Sequence, residues 1–195
     1  MDLVAEHGVS NLKVRAVCSR ARLNDRYFYE SFADCDALML AAFEDQFARG
    51  VTALLVAAAL SPAQPRPRTR AAIEAAFGFV DADPRRPRLL IELQTAEALK
   101  ARRRQMVQAL ASIMVDQARQ LLGERVVEDQ NVHLAGVTVV SGLLELATMW
   151  FQHDIDVDRD QLVEFMIAMI LTSSDITTAL ERELAEVSRD ADADA

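Results

Sequence analysis

Cysteine, histidine and glycine are all scarce in this chain of 195 residues. Its two cysteines, Cys18 and Cys35, have no further Cys or His at the spacing of metal ligands. We therefore interpret both as reduced thiols that pack as small apolar side chains. A redox-sensing pair is the alternative. The six glycines form no Gly-rich phosphate loop, so a nucleotide site of that kind is not expected.

The three histidines give no sign of catalysis or metal binding. His7, His133 and His153 stand apart from cysteines and from paired acids at ligand spacing, so we interpret each as a surface or otherwise satisfied residue. No Ser/His/Asp set has a spacing that supports nucleophilic catalysis. We predict a protein that is not an enzyme and that needs no metal and no cofactor. A helical-bundle enzyme remains the alternative, but it has no motif in its support.

Long apolar runs are also missing. No window offers the roughly 18 uninterrupted apolar positions of a membrane span, so no membrane partner is expected. The N-terminal residues MDLVAEHGVS have neither the positive flank nor the apolar centre of a secretory signal, and we expect a cytoplasmic protein. The net charge of −9 opposes binding of nucleic acid over the whole surface. Any contact with nucleic acid must therefore be local.

Helical periodicity runs through almost the whole sequence, and strand alternation is nearly absent. We predict an all-α fold: an N-terminal helix-turn-helix head joined to a helical-bundle core. The one clear linker is SPAQPRPRTR, residues 61–70, where three prolines oppose regular structure. Helices are predicted before Gly8, in 11–21, 24–32, 35–60 and 69–82, after Pro87, and in 95–122, 130–153 and 158–185.

The segment RLNDRYFYESF, residues 22–32, concentrates aromatic residues in a chain with only 6% of them. Asn24 is a good N-cap for a short helix. Phe28 and Phe32 lie four positions apart and can share its buried face. Tyr27 and Tyr29 are each rotated by about 100° from Phe28, so the three successive aromatics cannot all be core. At least one tyrosine hydroxyl is left for water or phosphate.

This short helix follows another one after a turn of three or four residues, which is the outline of a helix-turn-helix. Residues 11–30 carry a net charge of +3 in a chain of −9. A local basic face on an acidic protein favours contact with phosphate at that place and repulsion elsewhere.

The order of features in residues 8–44, GVSNLKVRAVCSRARLNDRYFYESFADCDALMLAAFE, resembles the DNA-binding head of the TetR family of bacterial transcriptional regulators. That family's pattern ends in a Leu-Tyr-x-His-Phe-like run before an apolar helix. Phe28 and Tyr29 match the Leu-Tyr pair, and Phe32 matches the Phe. Two departures are Arg22, where a turn glycine is usual, and Cys35, where a phosphate-contacting lysine is common.

The resemblance implies a homodimer that binds a palindromic double-stranded operator, usually as a repressor, and releases it on binding a small-molecule ligand. It implies a DNA-binding domain in residues 1–45, with a shorter first helix than is usual, and a ligand-binding and dimerisation domain in residues 46–195. The DNA-binding residues that it implies are Lys13 and Arg15 near phosphates, Asn24, Asp25, Arg26 and Tyr27 at the groove, and Tyr29 on the DNA backbone. For Arg15 and Tyr27 the alternative is an ordinary surface residue.

Two strongly apolar segments near the end of the sequence indicate a subunit interface. As is common in the family, a pair from each subunit could form a four-helix interface, with Gly136 and Gly142 allowing close approach. The alternative is two central core helices. The predicted interface residues are Val139, Leu143, Leu146, Phe165, Met166 and Met169.

The ligand site is predicted from apolar residues that could line a cavity between helices, with one acid in an apolar run. If buried, Glu145 needs a partner, either an arginine, a helix end or the ligand. The predicted ligand-binding residues are Phe77, Phe79, Met106, Met114, Glu145 and Trp150.

A second basic region, in residues 84–104, has seven Lys or Arg against two Glu. We interpret it as a solvated face, with auxiliary phosphate contact as the alternative. For the whole protein, the alternative function is a helical ligand-binding or protein-interaction dimer that has lost its affinity for DNA.

Overall fold

The computed structural model describes residues 2–8, 12–95, 99–122 and 130–173. These residues form helices and connections without a strand, which confirms the all-α prediction. The helices are α1 (Asp2–His7), α2 (Val14–Ala21), α3 (Asp25–Ser31), α4 (Cys35–Leu60), α5 (Pro65–Asp81), α6 (Arg86–Thr95), α7 (Lys100–Leu122), α8 (Gln130–Gln152) and α9 (159–173).

The head helices begin and end at residues suited to those positions. The Asn24 side chain accepts a hydrogen bond from the Arg26 N–H at 2.6 Å, so this predicted N-cap is confirmed, and Asp34 caps α4 in the same way by accepting one from the Ala37 N–H at 2.8 Å. Arg22 ends α2 with φ 54°, in the left-handed conformation that a glycine would adopt more easily. These local interactions fix the turn that presents α3.

The first helix is held to α6. Gly8 has φ 75°, and its N–H bonds to the Val4 carbonyl, as expected for a glycine that closes a helix. A side-chain carbon at residue 8 would come within 3.1 Å of Glu92 Oε1, so glycine also permits this close approach. Asp2 forms ion pairs with Arg85, just before α6, and with Arg20 of α2.

The core has three buried clusters. The first joins the head to the core, because Val4 of α1 and Met39 and Phe43 of α4 pack with α6 and α7 residues. The second lies between α5, α8 and α9, and the third between α7 and α8. Residue 45, the predicted domain boundary, lies inside the continuous helix α4.

The predicted linker in residues 61–70 is wrong over its second half. Only residues 61–64 connect α4 to α5, and α5 begins at Pro65. Prolines are tolerated there because N–H groups in the first turn of a helix have no intrahelical acceptor. The helix predicted for 95–122 begins at Lys100 in the described residues. The part of the last predicted helix beyond residue 173 lies outside the described residues.

Helix α8 is apolar well beyond the needs of a surface helix. By length and composition alone it could cross a membrane, but core helices of soluble proteins pass the same test. Only 22% of its most apolar window is buried within the single chain. Much of α8 is therefore left for another surface to cover.

Candidate nucleic-acid interface and ligand cavity

Helix α3 has aromatic residues on a buried side and on an exposed side. Phe28 is buried, and its ring centre lies 5.8 Å from that of Phe32. Tyr27 and Tyr29 are 57% and 61% exposed. Phe28 meets Tyr29 edge to face at 5.4 Å. The prediction that not all three successive aromatics are core is confirmed, and both tyrosine hydroxyls are available on the surface.

Arg26 lies on the same exposed helix. Its Nε is 2.9 Å from Glu30 Oε1, and its side chain is 81% exposed. An exposed pair of this kind contributes only about 0.3–0.5 kcal/mol. Arg26 can therefore exchange Glu30 for a phosphate or a base edge at little cost.

The other predicted DNA-binding residues have different positions. The Asn24 side chain is occupied as the cap of α3, so it sets where the helix starts. Asp25 follows it, exposed, in the first turn. Lys13 and Arg15 are exposed at the start of α2. The structure thus places all seven predicted residues on the surface of the α2–α3 unit.

The two cysteines lie beside this unit as free thiols. Cys18 is buried in α2, and desolvation, followed by the carboxylate of Asp25, raises the pKa of its thiol. Burial likewise raises the pKa of Cys35. A raised pKa keeps a thiol protonated and unreactive at neutral pH, which agrees with their interpretation as reduced apolar side chains.

A cavity of about 160 Å³ lies between α4, α5, α6, α7 and α8. Its wall is apolar apart from Gln46 and Arg86. Of the predicted ligand-binding residues, Phe79 and Met106 line it.

Solved structures share this arrangement of helices. A protein of Pseudomonas aeruginosa PAO1 assigned as a transcriptional regulator matches with TM-score 0.72 at 22% identity, over 89% of this chain and 85% of its own. The fatty acid degradation regulator FadR from Bacillus halodurans matches with TM-score 0.69 at 18% identity, over 87% and 92%. A TetR-like transcriptional regulator from Rhodococcus sp. RHA1 matches with TM-score 0.63 at 17% identity, over 88% of each chain.

The chain has the TetR-like regulator fold. The resemblance seen in residues 8–44 is confirmed as a likeness of fold over most of the chain. No protein-family model matches the chain, and no curated protein matches it in sequence. Among the residues that the structure describes, no group of three or more His, Cys, Asp or Glu side chains could hold a metal ion.

In this TetR-like core, the other predicted ligand-binding residues do not share the cavity. Phe77 and Trp150 meet edge to face at 5.6 Å in the α5–α8–α9 cluster, and Trp150 Nε1 donates to the Val157 carbonyl. Trp150 borders a separate surface depression instead. Met114 packs against α8 near Gly136. Helical periodicity predicted which side of each helix is apolar. It could not show which neighbouring helix that side contacts.

Glu145 is also placed differently from the prediction. Its side chain is 57% exposed, and Arg103 lies 3.8 Å away. The carboxylate is exposed because it lies on the side of α8 that the single chain leaves uncovered. It therefore needs no ligand to balance a burial cost.

The predicted dimer residues divide into two sets. Val139 and Met166 are buried inside the single chain, and Leu143 and Leu146 pack against the cluster that includes α9. Phe165 and Met169 are exposed. The stripe chosen on α8 is thus its core-facing side, whereas the exposed positions carry most of the polar residues of this helix, among them His133, Thr138 and Glu145. Gly136 likewise contacts α7, while Gly142 has open space around it.

Most arginines of the second basic region pair within the chain. Arg85 binds Asp83 and Asp2, and these contacts hold the pKa of both carboxyl groups below their ordinary values. Arg88 is 3.2 Å from Glu92. Arg102 is 3.6 Å from Glu44. These pairings favour a structural role for the region over phosphate contact.

Sequence reasoning missed Gln46 and Arg86 in the cavity wall. The sequence offered one signal, because an arginine precedes an apolar run in RRPRLLIEL. We interpreted that arginine as part of the second basic region. Helical periodicity describes the sides of a single helix. It could not show that this arginine faces α4, because the contact between α4 and α6 joins residues that are far apart in the sequence. Arg86 Nε donates to Gln46 Oε1 at 3.0 Å.

Proposed function

We propose that the protein is a cytoplasmic, TetR-like transcriptional repressor that binds a palindromic operator as a homodimer and is released by a small molecule. Residues 1–45 form the DNA-binding domain in this proposal, and residues 46–195 form the ligand-binding and dimerisation domain. The observation that carries it is the exposed face of α3, with Arg26, Tyr27 and Tyr29 presented by a capped helix-turn-helix in a TetR-like fold.

The local charge supports this use of α3. Phosphate neutralisation supplies most of the affinity of DNA-binding proteins, and a recognition helix adds base contacts in the major groove. Arg26 can donate two hydrogen bonds to one guanine, a contact worth about 1–3 kcal/mol of discrimination. Tyr27 and Tyr29 can donate hydroxyl hydrogen bonds to phosphate. The remainder of the chain is acidic and would repel the phosphates, so DNA would bind only at the head.

The uncovered faces of α8 and α9 support a homodimer. On α8 the outward positions include His133, Leu134, Thr138, Gly142 and Glu145, and on α9 they include Phe165, Ala168, Met169 and Thr172. A second copy of the same faces would bury the exposed leucine, phenylalanine and methionine. Small residues at Gly142 and Ala168 would allow close approach of the helices.

The cavity can communicate with the head through two helices. Helix α4 begins in the head and contributes Phe43 and Phe47 to the cavity wall. Helix α6 carries Arg86 at the cavity, and Arg85 beside it pairs with Asp2 of α1. A ligand that displaces either helix would change the position of the head. By linkage, operator DNA must weaken ligand binding by the same factor.

Selection from random double-stranded DNA tests the proposal. The full-length protein at fixed, stated salt should enrich one palindromic sequence, because two heads related by a two-fold axis read two equal half-sites. Enrichment of no sequence above the input would contradict the proposal. That result would favour a helical ligand-binding or protein-interaction dimer without affinity for DNA.

A further inference from the structure

The strongest unassigned feature of the molecule is the environment of Arg86. Arg86 lines the 160 Å³ cavity, and its carbon Cζ lies 3.8 Å from the centre of the Phe79 ring, which lines the same cavity. A guanidinium against an aromatic face is held by cation–π attraction and by packing. The charge is therefore fixed in an apolar wall.

The hydrogen bonds of Arg86 fix its orientation without neutralising it. Nε donates to Gln46 Oε1 at 3.0 Å, and Nη1 donates to the Phe79 carbonyl at 2.5 Å. Both acceptors are uncharged. A guanidinium has five N–H donors, so these two bonds leave donors for another acceptor.

Arg86 has no carboxylate partner within the described part of the chain. The charge of Arg86 is one of the smaller causes that lower the pKa of Asp83, but the two oxygens of Asp83 accept hydrogen bonds from Arg85 at 2.8 and 2.7 Å. Arg88, two residues further on, is paired with Glu92. A half-buried cation that is hydrogen-bonded only to neutral groups is the natural site for a bound anion.

The size and the apolar wall of the cavity restrict the rest of the ligand. An apolar cavity of about 150 Å³ in another protein accommodates benzene. The space here has a similar volume but is open to solvent on one side, and it accommodates one aromatic ring or a short aliphatic chain. Apart from Gln46 and Arg86, the side chains in the wall are apolar, among them Phe43 and Leu144. It gives a ligand no second charged partner.

We propose that this cavity binds a small apolar monocarboxylate, whose hydrocarbon body fills the apolar part and whose carboxylate accepts hydrogen bonds from Arg86. This inference rests on the proposed function, because it gives the chemical class of the ligand that acts on the regulator. Arginine suits this role because its planar fork can hold both oxygens of a carboxylate. An uncharged molecule of equal shape would fill the cavity but leave the cation unpaired.

Calorimetric titration of the full-length protein without DNA tests the inference. The probes are sodium benzoate and its uncharged counterpart benzamide, with sodium hexanoate as an aliphatic carboxylate. At least one carboxylate should bind at millimolar concentration or below, and benzoate should bind more tightly than benzamide by about 10-fold to 100-fold. Absence of carboxylate binding, or equal affinity for benzoate and benzamide, would overturn the inference.

Two variants and a control locate the site. Arg86→Met should remove the preference for benzoate over benzamide, while Arg88→Met, on the same helix but outside the cavity wall, should keep it. If Arg86→Met does not fold, Ala76→Leu tests the location of the site, because it narrows the cavity and retains the arginine. That variant should lose affinity for both probes. Unchanged binding in the folded Arg86→Met protein, or in Ala76→Leu, would place the ligand elsewhere.

A parallel titration with the selected operator separates this inference from the proposed function. Carboxylate binding that leaves the operator bound would contradict ligand-controlled release and leave the ligand assignment standing. Specific DNA binding by a protein that binds none of the carboxylates would contradict only the ligand assignment.

Discussion

Single residues determine where the head helices start and stop. Asn24 and Asp34 act as caps because their short side chains reach the free N–H groups of the next turn, and residue type alone predicted the cap at Asn24. The αL conformation of Arg22 was anticipated from the resemblance, since a glycine is usual there. The partner of Arg86 could not be anticipated, because Gln46 is forty positions away in the sequence.

Arg22→Gly should stabilise the head. A non-glycine residue with φ 54° bears a steric cost, and removing it should outweigh the added freedom of glycine in the unfolded chain. We expect the free energy of unfolding to rise by about 0.5–1 kcal/mol, measured by urea unfolding at fixed protein concentration. Ala16→Gly, at an exposed position within α2, should lower it by about 1 kcal/mol. A loss of stability in Arg22→Gly would mean that the arginine side chain itself supports the turn.

At the scale of elements, the sequence predicted helices well and their faces poorly. Residues 35–60 are helical over the predicted range, because apolar spacing and an aspartate cap agree. On α8 the residues predicted for the subunit interface lie on the side that packs within the single chain. The exposed side carries His133, Thr138 and Glu145, and these polar residues were the signal in the sequence for the outward face. Pro65 was read as a breaker, whereas at the first position of α5 it is compatible with the helix.

The two glycines of α8 allow a direct test of these faces. Carbon atoms added at Gly136 would lie 3.5 Å from Ala111, Met114 and Val115, so Gly136→Leu should destabilise the subunit by about 1–3 kcal/mol through overpacking. Gly142 has no neighbour within 4 Å in the single chain. Gly142→Leu should therefore keep the helical content of the subunit and raise its stability slightly, because leucine has a higher helix propensity than glycine, but weaken dimerisation.

Circular dichroism with thermal unfolding reports on the subunit, and sedimentation reports on the dimer. Equal loss of subunit stability in both glycine variants would show that Gly142 also faces the core. A Gly142→Leu protein that dimerises as tightly as the unaltered chain would exclude close helix approach at this position.

The whole molecule combines a DNA-binding head, a cavity in the core and an exposed face on α8 and α9. We expect the protein to sediment at twice the monomer mass at micromolar concentration. Phe165 and Met169 lie four residues apart, 51% and 36% exposed. Replacing both by glutamate should give monomers or aggregates, because two carboxylates would then lie in an apolar interface.

Leu23→Glu is the control for this pair, because Leu23 is 55% exposed in the turn between α2 and α3 of the head. It should leave the dimer unchanged. A dimer that survives the double substitution would show that the subunits meet through another face.

The proposed function requires that α3 reads DNA, and fluorescence anisotropy on the selected operator measures this. The Arg26→Ala/Tyr27→Ala protein should lose specific binding, by at least about 10-fold, and retain its helical content and dimer mass. The matched control is Arg49→Ala, which removes an exposed arginine from the same kind of i,i+4 ion pair, with Asp45 of α4. It should bind the operator as the unaltered protein does, with affinity that falls steeply as salt rises. Specific operator binding that survives the double substitution would contradict the assignment of α3 as the reading helix.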